Sequence, residues 1–251
     1  MLLLRSLVFL AWMYGLMFLM GLVWLPSLIL PRSVIRTGVR WYAGQIRWGL
    51  KAICGIRTEF RGLEHLPPGP IIYAAKHQCM WDVFVPFLIL ADPVITMKRE
   101  LLWYPFLGWY AMKLRMIAID RGGAAKTVKK MLNAAAQRAS VGRQFVIFPE
   151  GTRHPPGVTA GYFAAGTSAF YKKLGVPCVP VATNSGLCWP ARGIVRRPGT
   201  VVFELLEPIE QGLDRRALMS RLEAAIEPAS EKLLEEGLEV QGRTRAELEL
   251  A

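Results

Sequence analysis

From Ser6 to Pro31 this chain carries no charged residue, and Arg5 is the single charge in its first 31 residues. A run that apolar is stable only when buried in protein or set against lipid. At about 1.5 Å rise per residue, a helix of this length reaches the ~30 Å of hydrocarbon in a bilayer. A cleaved signal peptide is the alternative, but the run exceeds a usual apolar core and no small-x-small site follows it. Arg32, Arg36 and Arg40 outweigh Arg5, an asymmetry that places the remainder on the cytoplasmic side. Gly15, Gly21 and Pro26 leave open a bent helix lying in one leaflet. From Ser33 to about Cys54 an amphipathic helix follows, in which Arg36, Arg40, Arg47 and Lys51 alternate with Val39, Trp41, Tyr42, Ile46 and Trp48. That mixture suits a membrane interface; packing against the domain would leave the same residues as a solvated face. Residues 1–55 are therefore expected to form a membrane-anchoring helical hairpin with a basic interfacial arm.

The remaining text alternates short apolar runs with helical stretches. Strands are expected at 57–61, 71–75, 94–97, 116–119, 145–148, 178–182 and 200–206. Helices are expected near 81–91, 107–114, 125–140, 166–174 and 214–236, with Pro228 as a kink or break. Such alternation predicts an α/β fold, a mainly parallel mixed sheet flanked by helices, over residues 56–240. Residues 241–251 read as a charged, frayed tail.

The net charge of +12 is uneven, at +6 in residues 1–60, +12 in 61–203 and −6 in 204–251. Basic charge beside an apolar N-terminus points to anionic lipid or anionic substrates. No zinc-finger, RNP or helix-turn-helix pattern supports a nucleic-acid partner. Cys54, Cys79, Cys178 and Cys188 show neither zinc spacing nor a disulfide framework, which fits a reduced, cytosol-facing setting.

Four unusual clusters each follow an expected strand. His77 and Asp82 follow Ile71–Ala75; Asp120-Arg121-Gly122-Gly123 follows Met116–Ile119; Pro149-Glu150-Gly151-Thr152-Arg153 follows Phe145–Phe148; Thr183-Asn184-Ser185-Gly186 follows Cys178–Ala182. The carboxyl ends of parallel strands line one crevice, where ligands bind. Arg121 and Arg153 are suited to a phosphate, and Gly122, Gly123 and Gly151 let backbone amides approach it. His77 is a candidate base with Asp82 as its orienting carboxylate, and a helix opening just after His77 would offer amides to an oxyanion. Three of the clusters have an ordinary alternative: a surface ion pair at Asp120-Arg121, a turn at 148–153, a capping Asp82. No Gly-x-Ser-x-Gly elbow is present, so a base without its own nucleophile points to a hydroxyl brought by the substrate.

Taken together, His77-x4-Asp82, the apolar run ending in Asp120-Arg121, Phe148-Pro149-Glu150-Gly151-Thr152-Arg153 and Val176-Pro177-Cys178-Val179-Pro180-Val181 resemble the 1-acyl-sn-glycerol-3-phosphate acyltransferases. The resemblance covers roughly residues 33–210. It implies direct acyl transfer from acyl-CoA or acyl carrier protein to the sn-2 hydroxyl of lysophosphatidic acid, giving phosphatidic acid for phospholipid synthesis. No cofactor or metal is required. By that resemblance His77 is the base and Asp82 orients it. Arg121, Glu150, Gly151, Thr152 and Arg153 hold the glycerol phosphate, Arg153 most directly, and Pro180 helps form the acyl pocket. The implied location is a membrane, the bacterial inner membrane, with the catalytic domain in the cytoplasm. One departure concerns the acceptor: Ala164-Ala165-Gly166 stands where members often have a lysine before the glycine, and Lys172 and Lys173 lie about two turns on. Another lysolipid acceptor such as lyso-ornithine lipid, or a membrane-bound thioesterase, are the rival readings.

Overall fold

The computed structural model describes residues 1–119, 125–159, 161–162 and 165–249. Two helices lead, α1 (Leu2–Val23) and α2 (Arg32–Gly49), linked through a 3-10 turn at Leu25–Leu28, and a π-helical turn at Leu50–Cys54 follows. Then come β1 (Ile56–Arg61), β2 (Ile72–Ala75), the short helices α3 (Trp81–Phe84) and α4 (Pro86–Ile89), β3 (Pro93–Lys98), α5 (Leu107–Lys113) and β4 (Ile117–Ile119). The chain continues with α6 (Ala125–Ala139), β5 (Gln144–Ile147), α7 (Ala165–Leu174), β6 (Cys178–Thr183), α8 (Ser185–Cys188), β7 (Gly199–Leu205), α9 (Arg215–Gln241) and α10 (Ala246–Glu249).

The strands form one seven-stranded sheet in the order β1-β7-β6-β2-β5-β3-β4. From β6 to β4 every pairing is parallel, whereas β7 runs antiparallel to β6 and carries β1 parallel to itself. This is the mainly parallel mixed α/β sheet that the apolar runs predict. Central strands β2, β5 and β6 are buried at every residue, because helices cover both faces. Alternate side chains of β2 serve opposite cores. Tyr73 and Ala75 face one built with α1, α2 and Trp81, and Ile72 and Ala74 face one built with α6, α7 and α9.

The N-terminal hairpin belongs to the first of these cores. α1 buries Phe9 and Met13, and α2 buries Tyr42, Ala43 and Ile46. Gly38 admits the Trp24 ring so closely that a Cβ there would fall 2.3 Å from it. The basic face of α2 makes contacts that its spacing does not announce. Arg32 forms a bidentate pair with Asp92 at 2.8 and 2.7 Å, joined by Arg36 at 3.4 Å. Arg40 donates to the carbonyls of Phe87 and Leu90 at 2.9 and 2.6 Å, closing the carboxyl end of α4. Arg47 donates to the Thr58 carbonyl at 3.1 Å and lies over the Phe60 ring. These guanidinium groups also make contacts inside the protein, to carbonyls and to the Asp92 carboxylate; Trp41, Trp48 and Lys51 remain exposed.

The C-terminal helix also differs. Asp214 caps α9 by accepting from the Ala217 amide at 2.8 Å, and Pro228 does not break the helix, which runs to Gln241. An interior proline costs about 3 kcal/mol. Leu233, Leu234 and Leu238 lie beyond it and are buried, each contributing roughly 1.5–3 kcal/mol, so packing outweighs the lost hydrogen bond. The helix ends instead at Gly242, whose φ of 61° lies in the left-handed region.

Candidate active site

The carboxyl ends of β2, β5 and β6 bring three of the four sequence clusters together. His77 leaves β2, and the next helix does not open until Trp81. From the first turn of α3, Asp82 reaches back over the intervening turn. Its Oδ2 accepts from His77 Nδ1 at 3.0 Å and from the amides of Gln78 and Cys79 at 2.7 and 2.8 Å. Its Oδ1 accepts from the Cys79 thiol at 3.4 Å and the Ser185 hydroxyl at 2.6 Å. Burial works to raise the Asp82 carboxyl, but the His77 bond and charge, the Cys79 amide and Ser185 outweigh it and hold it below its usual range. An ionised Asp82 fixes the His77 proton on Nδ1 and leaves Nε2 as an acceptor. The expected supply of free amides after His77 is corrected here: those of Gln78 and Cys79 serve Asp82, and that of His77 serves Glu150.

The loop after β5 is knitted to His77. Glu150 Oε2 accepts from the His77 amide at 2.8 Å, and the His154 amide donates to the His77 carbonyl at 2.9 Å. Phe148 stacks on the imidazole with ring centroids 4.0 Å apart. The turn itself needs Gly151 at φ 72°, a region that other residues enter only under strain. Gly151, Thr152 and Arg153 are exposed, and Arg153 Nε donates to His77 Nε2 at 3.4 Å. A guanidinium therefore sits directly at the lone pair that a base would use.

Glu150 has a different setting from its loop neighbours. Its side chain is wholly buried, and its other oxygen meets Lys76 Nζ at 3.3 Å. Lys76 is 2% exposed and also pairs with Glu227 of α9 at 2.6 Å. Glu227 accepts in addition from the hydroxyls of Tyr162 at 2.7 Å and Thr159 at 3.1 Å. Burial pushes the Glu150 carboxyl up, with Lys76 and the His77 amide opposing it. Its contacts fix the loop and leave the exposed surface to Arg153.

The cluster after β6 divides its work. Asn184 bridges the Val202 amide and the Leu233 carbonyl, tying β7 to α9. Gly186 donates to Gln78 at 2.9 Å, and Ser185 reaches Asp82. Pro180 is buried within β6, opposite Ala74, and its carbonyl accepts from Leu206. Asp120, Arg121, Gly122, Gly123 and Ala164 lie outside the described residues. Lys76 and Glu227 were given no role by sequence, and Phe148 and Ser185 were named only as members of their clusters. A lysine ending a wholly apolar strand was the one local signal; Ser185 and Glu227 lie 103 and 151 residues from their partners. Among the described residues, no group of three His, Cys, Asp or Glu side chains is placed to hold a metal ion.

A family model described as Acyltransferase matches residues 57–184, just over half of the chain. The chain belongs to the acyltransferase family. All of His77, Asp82, Glu150, Arg153, Pro180 and the Ser185–Asp82 contact's carboxylate lie inside or at the edge of that match. A 1-acyl-sn-glycerol-3-phosphate acyltransferase of Pseudomonas aeruginosa is 38% identical over 154 residues, 61% of this chain and 60% of the relative. A protein of the same name from Limnanthes alba is 30% identical over 187 residues, 72% of this chain and 65% of the relative. The matches thus span less than two thirds of those relatives. Among solved structures, the 1-acyl-sn-glycerophosphate (LPA) acyltransferase PlsC from Thermotoga maritima superposes with a TM-score of 0.74 at 22% identity, covering 93% of this chain and 98% of that one. That likeness shows a shared fold over most of the chain.

Proposed function

We propose that this protein transfers a fatty acyl group from acyl-CoA or acyl carrier protein to the sn-2 hydroxyl of 1-acyl-sn-glycerol-3-phosphate, giving phosphatidic acid. The observation that carries the reading is the pairing at His77: Asp82 on Nδ1 at 3.0 Å and Arg153 at Nε2 at 3.4 Å. It sets a base beside a cation suited to phosphate. The nucleophile-type side chains beside Asp82, Cys79 and Ser185, are fully buried and donate to that carboxylate. Burial also pushes the Cys79 thiol well up, so neither is an activated nucleophile.

Arg153 turns from Nε2 to the acceptor's phosphate, which draws the guanidinium into paired, charge-assisted bonds. The freed Nε2 takes the proton of the sn-2 hydroxyl, and Asp82 stabilises the resulting imidazolium. The hydroxyl oxygen attacks the thioester carbonyl; the carbon–sulfur bond breaks, and the leaving thiolate takes the proton from the imidazolium. Glu150 acts as a positioning residue, holding loop and His77 backbone together. Arg121 adds a second phosphate contact, Gly151 and Thr152 shape the loop that the head group meets, and Pro180 lines the acyl pocket. Both acceptor and product are lipids, and α1 supports a membrane site by its length and composition. It buries Ser6, Phe9, Met13 and Gly21 against the domain, a face running its whole length, which favours lying in one leaflet over crossing it. The compartment is the cytoplasmic face of a bacterial inner membrane, where both thioesters are made available.

The test is thiol release followed with lipid product, using acyl-CoA or acyl carrier protein thioesters and either lysophosphatidic acid or lyso-ornithine lipid. Release that depends on lysophosphatidic acid is expected; release without acceptor would make the protein a thioesterase. Arg153→Ala should raise the acceptor KM about tenfold, since it removes a charged phosphate contact.

A further inference from the structure

The connection between β3 and β4 presents a run of apolar side chains to the outside. Trp103 is 84% exposed, Tyr104 60%, Leu107 44%, Trp109 41% and Met112 54%. A soluble surface scatters such residues singly; five within ten positions form a patch with a purpose. The backbone is bent to display them. Phe106 has φ 62° and ψ −59°, and Leu107 N donates to the Pro105 carbonyl at 2.7 Å, a strained γ-turn. Gly108 follows, where a Cβ would fall 2.0 Å from the Leu102 carbonyl oxygen.

This lip is continuous with α1. Phe106 meets the Phe18 ring edge-on at 5.8 Å, and its own ring lies where a Cβ on Gly21 would be, 2.5 Å away. Tyr110 donates its hydroxyl to the Gly21 carbonyl at 2.9 Å. On α1, Phe18, Leu19, Leu22 and Val23 are exposed beside that contact. The lip is flanked by Lys98, Arg99, Lys113 and Arg115, with Glu100 as its one acid. Tryptophan and tyrosine between basic residues match the head-group layer of an anionic leaflet. The segment also leaves β3 at its carboxyl end, the sheet edge that carries His77 after β2 and Glu150 after the adjoining β5.

We propose that residues 99–113 are a second lipid-inserting element, which with α1 seats the carboxyl edge of the sheet on an anionic leaflet. A single helix leaves a domain free to rotate about it; two contacts fix the domain's tilt, so the cleft opens onto the layer that holds the lysolipid. The inference rests on the membrane reading of α1 and is tested separately from it.

All four native cysteines are buried, so single cysteines introduced into the full chain can be labelled with an environment-sensitive fluorophore. Three sites suffice: Tyr104→Cys on the lip, Leu19→Cys on α1, and Val141→Cys, 72% exposed before the amino end of β5. With vesicles of phosphatidylcholine and phosphatidylglycerol, labels at 104 and 19 should shift to the blue and be quenched by spin-labelled acyl chains, while the label at 141 stays unchanged. Trp103→Ala with Trp109→Ala should weaken vesicle partition about tenfold or more, with turnover of a short-chain, water-soluble lysophosphatidate retained. Quenching at 19 without quenching at 104 overturns the lip and leaves the membrane reading standing. Quenching at neither site removes both. A blue shift at 104 that grows with protein concentration in the absence of vesicles assigns the patch to a second copy of the chain and also overturns the proposal.

Discussion

Asp82 is the residue on which the site's chemistry turns. One carboxylate, buried in the first core, accepts from an imidazole, two amides, a thiol and a hydroxyl. Ser185 contributes the shortest of these bonds, at 2.6 Å. Its loss should let the carboxylate shift and misalign His77: Ser185→Ala is expected to lower kcat about tenfold, the worth of one hydrogen bond to a charge, with the acceptor KM unchanged. A rise in KM alone would assign Ser185 to substrate binding. The depressed Asp82 carboxyl also has a pH signature. Its folded value lies below the unfolded one of about 3.9, so the unfolded chain binds more protons in that window. The stabilisation is complete above the unfolded value and is lost as pH falls through the folded one. Thermal melts of the protein and of Asp82→Asn should therefore differ by a constant gap above about pH 5 that closes as pH falls below about 4; a gap independent of pH throughout would show Asp82 uncharged in the fold. His77, Asp82 and the Phe-Pro-Glu-Gly-Thr-Arg loop were legible in the sequence because each is a short local string. Ser185 was legible only as part of a polar cluster, since nothing near it in the chain names Asp82 as its partner.

At the scale of elements, the strands were readable and the helix partners were not. Four-residue buried runs such as Ile72–Ala75 and Gln144–Ile147 declare themselves by composition. The partners of the α2 arginines were not readable, because sequence gives their spacing but not the carbonyls of α4 or the carboxylate of Asp92. For the same reason Pro228 looked like a break, when the leucines beyond it keep α9 on the sheet. The most informative helix contact is also non-local: α9 reaches the site through Glu227, which pairs with Lys76, which pairs with Glu150. Glu227→Gln leaves Lys76 with one carboxylate partner in a buried setting. We expect a fall in melting temperature of roughly 5 °C. Because the loop bearing Arg153 is anchored by the same chain of contacts, kcat should also fall roughly ten- to a hundredfold. If melting shifts but kcat does not, α9 only supports the fold.

For the whole molecule, the distribution of charge and apolar surface decides how it meets its substrate. The acidic part of the sequence lies in 204–251 and contributes −6, against +18 in the rest. The exposed apolar residues concentrate on α1 and the β3–β4 connection. If the chain acts as proposed, drawing a lysolipid from one side and a thioester from the other, such asymmetry would set His77, at the sheet edge, between the two supplies. The central claim, that His77 activates the acceptor's own hydroxyl, is tested most directly by one comparison. Phosphatidic acid formation from an acyl thioester and lysophosphatidic acid is measured for the protein and for His77→Ala, with melting temperature as the control for folding. The account predicts loss of roughly 10²–10⁴-fold in kcat/KM at an unchanged melting temperature; acyl transfer at the original rate by His77→Ala would contradict it.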